Sequence, residues 1–179
     1  MTNLNHAEQI TRDGEFELPC AADTAYPLFS PEGEKHWVPG WSAKPVFPVN
    51  KMPLETETVF MTDEPHGPAM WMIAAADKRT RRTEYVAFEP KTHCGHITVR
   101  VEVIAAERCR VHARYTITAF GEHKKEFMQA FNQEAFGERM LRWKEWIEKY
   151  LQLEIERLAR KRKPRSQWRG FLPEVLSVM

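Results

Sequence analysis

Four side chains stand where acid–base chemistry would have to begin: Glu34, His36, Glu84 and Glu134. A general acid or base needs one carboxyl or imidazole whose pKa an apolar wall has moved toward neutrality. Each of the four is also of a type that commonly sits solvated or salt-bridged. Tyr85 and Tyr115 lie in apolar alternating runs, where a phenol hydrogen-bonds either a ligand oxygen or the backbone. His93, Cys94 and His96 form the one cluster of zinc-ligand types. On a strand, however, Cys94 and His96 share one face while His93 points away, so no structural metal is expected. The sequence holds no G-x-S-x-G elbow, no G-x-G-x-x-G and no P-loop. Hydrolase and nucleotide chemistry recede, and no cofactor and no complete catalytic set is expected.

A chain of 179 residues, 42% hydrophobic, can bury a core as one domain without a metal or disulfide staple. A formal net charge of +1 gives no global bias toward nucleic acid or acidic membranes. Cys20, Cys94 and Cys109 are odd in number and lack CxxC spacing, which suits a reducing compartment. No apolar run approaches the roughly 18 residues of a membrane span, and the start lacks a signal-peptide pattern. These features predict a cytoplasmic protein.

The elements that must position such residues follow from periodicity. Residues 1–13 read as a lead-in, and Glu15-Phe16-Glu17-Leu18 alternates as a half-buried strand. Asp23 is placed to cap a short helix carrying Tyr26, Leu28 and Phe29, and Ser30-Pro31-Glu32-Gly33 starts a second helical turn that Pro39-Gly40 ends. Alternating runs follow at 43–49, 58–62, 69–76, 81–89, 95–105 and 109–120, broken at Pro53, Pro65-His66-Gly67-Pro68, Asp77-Lys78 and Pro90. Six successive strands without helices predict an antiparallel meander. In the last two, Ile97, Val99, Val101, Val103 and Ala105 face inward with Cys109, Val111, Ala113, Tyr115, Ile117 and Ala119. A three-residue loop at 106–108 would pair Ala105 with Cys109, Glu102 with His112 and Arg100 with Arg114.

After Gly121 the pattern turns helical for about thirty to forty residues. Phe127, Met128, Phe131 and Ala135 form one stripe and Trp143, Trp146, Ile147 and Tyr150 a second, with Gly137 as a bend between them. The first stripe is expected to meet the sheet and the second to cover the rim or a partner. Lys163-Pro164 marks the helix end. The organisation is therefore a lead-in (1–13), one domain (14–156) and a basic, then apolar tail (157–179).

The order strand, two short helices, six strands and long helix resembles the START-like or SRPBCC superfamily, whose helix-grip fold includes the birch-pollen allergen and the polyketide cyclases. The segment Pro31-Glu32-Gly33-Glu34-Lys35-His36-Trp37-Val38-Pro39-Gly40-Trp41 resembles the PEGE..WVPGW segment of a bacterial subgroup, and Phe127-Met128-Gln129-Ala130-Phe131 is similar to the opening of that subgroup's last helix. The resemblance covers residues 14–152. It implies an α+β helix-grip fold, about seven antiparallel strands curved around a long C-terminal helix, with a cavity for an apolar molecule between them.

Residues expected to face that cavity are Trp37, Trp41, Phe47, Phe60, Trp71, Ile73, Tyr85, Val99, Val101, Val111, Tyr115, Phe127 and Phe131. In the third and fourth strands, Val59 and Met61 compete with Phe60, and Met70 and Met72 with Trp71 and Ile73. The leading expectation is a binding protein that holds a lipid, sterol or polyketide-like molecule without turning it over. One alternative is a polyketide cyclase or aromatase-like enzyme using the same cavity. Another is an interaction module or homodimer built on the second helical stripe and the tail. The tail's arginines and lysines beside Trp168 and Phe171 are the one local hint of an anionic partner, and a solvated helix end explains them equally.

Overall fold

The computed structural model describes residues 7–65, 67–121 and 123–162. His66 and the tail from Lys163 onward, with Pro164, Trp168, Phe171 and Leu172, lie outside the described residues. In chain order the elements are β1 (Glu8–Leu18), α1 (Ala22–Ala25), a 3-10 turn (Tyr26–Phe29), α2 (Pro31–Glu34), β2 (Lys44–Phe47), β3 (Val59–Glu64), β4 (Gly67–Asp77), β5 (Arg82–Glu89), β6 (His93–Ala105), β7 (Arg108–Ala119), α3 (Lys124–Ala130) and α4 (Gln133–Arg162). The strands make one antiparallel sheet in the order β1-β7-β6-β5-β4-β3-β2. Consecutive β1 and β2 thus lie at opposite edges. The chain between them, α1 to Trp41, crosses the inner side of the sheet, where the Tyr85 hydroxyl donates to the Phe29 carbonyl and Trp37 meets Trp143 of α4 edge-on at 5.6 Å.

β1 starts at Glu8, inside the stretch read as lead-in, and pairs with β7 from Glu8↔Ala119 to Leu18↔Cys109. Its inward positions include Arg12 and Gly14, so apolar alternation is lost there although the backbone ladder continues. Arg12 Nε instead donates to the Phe131 carbonyl at 3.2 Å. The β6–β7 register also differs from expectation. The turn has two residues, 106 and 107, with an irregularity between Val103 and Ala105, and the ladder slips by two. Val103 faces Cys109, Glu102 faces Arg110 and Arg100 faces His112. The parity of the faces survives a two-residue slip, so the inward set is unchanged up to Val101, whereas Val103, 54% exposed, and Ala105 are both exposed.

Asp23 does not cap α1, whose N-cap is Ala21 without a side-chain bond; its carboxylate accepts from Arg81 Nε at 2.6 Å. Ser30 does cap α2, its hydroxyl accepting from Gly33 N at 2.8 Å. The long helix is two helices. The break falls at Phe131–Asn132 rather than Gly137, because the Asn132 side chain accepts from Ala135 N at 2.9 Å and begins α4 as a cap. α4 then passes 156, the expected domain end, and reaches Arg162. The second stripe packs against the core: Ile147 is fully buried, Trp143 packs on Trp37 and Phe29, and Tyr150 stacks on His36 at 5.5 Å. Phe136 and Met140, absent from both expected stripes, are also buried, and Met140 closes over Gly14 of β1. No helix among the described residues is long and apolar enough to cross a membrane.

Candidate functional site

The inner sheet face and the helices do not close completely. Two adjoining lobes remain, of about 340 Å³ and about 180 Å³, and they share Trp71, Ile97, Tyr115 and Arg139 as walls. The larger lobe is bounded by Ala69, Ala87, Glu89, Thr92, His93 and Ile117 of the sheet side and by Phe127 and Phe131. The smaller lobe is bounded by Pro31, Glu34, Val38 and Trp41 from the α2 segment, by Phe60, Tyr85 and Val99 of the sheet, and by Trp143. A larger depression of about 530 Å³ lies on the outer sheet face, among Asp13, Glu15, Arg82, Arg100, His112 and Arg114. Its charges are engaged with one another, Arg82 with Glu84 along β5 at 2.9 Å and Arg114 with Asp13 across β7 and β1 at 2.6 Å, which makes it a solvated ladder. The two-lobed cavity between sheet and helices is the candidate site.

The PEGE..WVPGW segment builds one end of it. A β-carbon on Gly33 would overlap the Pro27 carbonyl oxygen, so α2 can lie this close to the preceding turn only with glycine there. Trp37 Nε1 donates to the Leu28 carbonyl at 2.7 Å and Trp41 Nε1 to the Pro31 carbonyl at 2.8 Å. Val38 N and Trp37 N donate to the Glu34 carbonyl at 2.8 and 3.2 Å. The segment is thereby pinned at both indoles, and the Glu34 side chain enters the smaller lobe. Among the described residues nothing hydrogen-bonds or ion-pairs with its carboxyl, and burial pushes its pKa from 4.5 to about 8.

Around it the tyrosines are held protonated. Burial, and next the charge of Glu34, raise Tyr85 well above its ordinary range. Burial lifts Tyr115 to about 12, with the nearby Arg139 guanidinium pulling the other way. Arg139 lies 5.8 Å from the Tyr115 ring centre and 5.6 Å from that of Phe131, and has no carboxylate within ion-pair distance among the described residues. At the far end, Glu89 is 6% exposed and its Oε1 has no hydrogen-bond partner among the described residues. His93 Nδ1 lies 3.7 Å from Glu89 and 2.9 Å from Thr92 Oγ1, and its ring stacks on Phe127 at 4.4 Å. Burial lowers its pKa.

Of the expected lining residues, the structure places Trp41, Phe60, Trp71, Tyr85, Val99, Tyr115, Phe127 and Phe131 on the cavity. Phe60, Trp71 and Ile73 take the inward positions and Met70 and Met72 are exposed, which resolves the facing of β3 and β4. Trp37, Ile73, Val101 and Val111 are buried in the solid part of the core. Phe47 is corrected outright: it lies on edge strand β2, 60% exposed, where no helix covers it. Of the acid–base candidates Glu34 alone reaches the cavity. Glu84 is bound to His96 at 2.8 Å on the outer face, His36 stacks on Tyr150, and Glu134 is exposed. Arg139 and Glu89 escaped sequence reading, because an arginine within a helix and a glutamate at a strand end are ordinary surface signals. No group of three or more His, Cys, Asp or Glu converges among the described residues.

No family model and no curated protein sequence matches the chain. Solved structures do. Norcoclaurine synthase from Thalictrum flavum is similar at a TM-score of 0.60 and 13% identity, over 83% of this chain and 90% of that one. Ara h 8.0201 is similar at 0.57 and 17%, over 80% and 97%. The major latex-like protein 151 of Panax ginseng is similar at 0.58 and 13%, over 80% and 97%. The chain has the helix-grip fold. A helix-grip domain places its long helix across the mouth of a curved sheet, and here that leaves the two lobes between α3–α4 and strands β3–β7.

Proposed function

We propose that this helix-grip protein binds a small, largely apolar molecule in the two-lobed cavity. The carrying observation is the cavity itself: aromatic and aliphatic walls with a few converging polar groups, the composition of ligand sites in general. Native mass spectrometry of the purified protein, followed by denaturing extraction, tests this. The expected result is one small molecule per chain, or its uptake from added 8-anilinonaphthalene-1-sulfonate once the protein has been stripped. A protein that is empty as purified and takes up no such probe overturns the reading.

A second reading, of acid–base turnover in the manner of a polyketide cyclase, is favoured by one feature. Glu34 carries a carboxyl with a pKa of about 8 into an apolar lobe beside the Tyr115 phenol. Norcoclaurine synthase shows that the fold does not choose between holding and converting a molecule. Turnover of an aromatic polyketide-like substrate that disappears in Glu34→Gln while binding persists would establish it, and its persistence in Glu34→Gln would exclude it.

A further inference from the structure

The polar groups of the cavity differ in how their burial is met. Glu34 is relieved by holding a proton, and Arg139 lies over two aromatic rings. Glu89 stands apart from both by an oxygen that is left unmet. It is 6% exposed, it borders the larger lobe, and its Oε1 has no partner among the described residues. Burying a polar atom without a partner is unfavourable, so such atoms call for an explanation. Its near neighbour His93 supplies no cation at neutral pH, because burial drives that imidazole toward its neutral form, and its Nδ1 is 3.7 Å away, beyond hydrogen-bonding range. A turn about the Cγ–Cδ bond, a broad and soft torsion, exchanges the two carboxylate oxygens, so either can be presented to the lobe.

We infer that the larger lobe takes the ammonium end of an apolar amine, held by the Glu89 carboxylate. An ammonium supplies the missing donor in charged form, where an alcohol supplies a neutral one. Trp71, Tyr115, Phe127 and Phe131 line the lobe with aromatic surface for the apolar part of such a ligand. The apolar body of the ligand then fills the space toward Ile97 and the junction with the smaller lobe. This inference rests on the cavity being the binding site.

The test measures binding of 2-phenylethylamine, 2-phenylethanol and phenylacetate to the full chain by tryptophan fluorescence and calorimetry. The wild-type protein should bind the amine about tenfold or more tightly than the alcohol, and the carboxylate most weakly. Glu89→Gln, close to isosteric, should weaken the amine about tenfold and change the alcohol less than about threefold. The alcohol's retained affinity together with an unchanged melting temperature shows that the variant still folds. A preference for phenylacetate would make Arg139 the anchor and overturn the inference. So would equal affinity for amine and alcohol, or an unaltered amine affinity in Glu89→Gln; in each of these the cavity still binds, and the proposed function stands. If none of the three probes binds, the inference is overturned, and the co-purified ligand decides the binding reading separately.

Discussion

At the scale of single residues, two positions in the α2 segment carry the sharpest consequences. Glu34 has a folded-state pKa of about 8 against an ordinary 4.5, so the native state binds the extra proton between those values. Stability is therefore highest below about pH 4.5 as far as this group is concerned, and falls as pH rises through 8. The loss should be on the order of 2 kcal/mol by urea titration, less than an entirely dry site would give because Glu34 keeps part of its surface exposed. Glu34→Gln should flatten that slope and be the more stable protein at pH 9. Gly33→Ala should cost about 3 kcal/mol or more, since its methyl group would have to displace the Pro27 carbonyl and with it the wall that carries Glu34.

At the scale of elements, α4 divides into a buried and a solvated half. Phe136, Met140 and Ile147 are almost entirely enclosed, whereas Leu153, Ile155 and Leu158 are 56%, 62% and 49% exposed. Ile147→Ala should cost about 2–5 kcal/mol in chemical denaturation, and Leu153→Ala about 0.5 kcal/mol or less. The two-stripe periodicity of this region was readable in the sequence, yet its meaning was not. A stripe rotated by roughly a right angle reads as a second surface only if the neighbour is flat. Here the sheet curves and α1–α2 lie beneath it, so both stripes find core. The break at Asn132 was hidden for a related reason: an asparagine within an amphipathic run is a cap only when the chain ahead of it turns away, as it does where Arg12 binds the Phe131 carbonyl.

At the scale of the molecule, the cavity is space that the core forgoes. Filling the larger lobe with Ala87→Leu should raise the melting temperature or leave it unchanged while abolishing uptake of an apolar probe; a protein that instead binds as before would place the ligand elsewhere. Alternation, turn residues and the helical period determined by themselves that the chain would form an antiparallel meander closed by a C-terminal helix, because those signals are local and repeat at 2.0 and 3.6 residues. They also determined which face of β6 and β7 is inward, since parity survives the slip of two residues. Only the tertiary structure decided the β6–β7 register, the outward place of Phe47, the burial of the second helical stripe, and the gathering of Glu34, Tyr115, Arg139 and Glu89 around one cavity. Those four come from α2, β7, α4 and β5, and what unites them is burial and a shared space. Such properties belong to the space between elements, which no periodicity along the chain encodes.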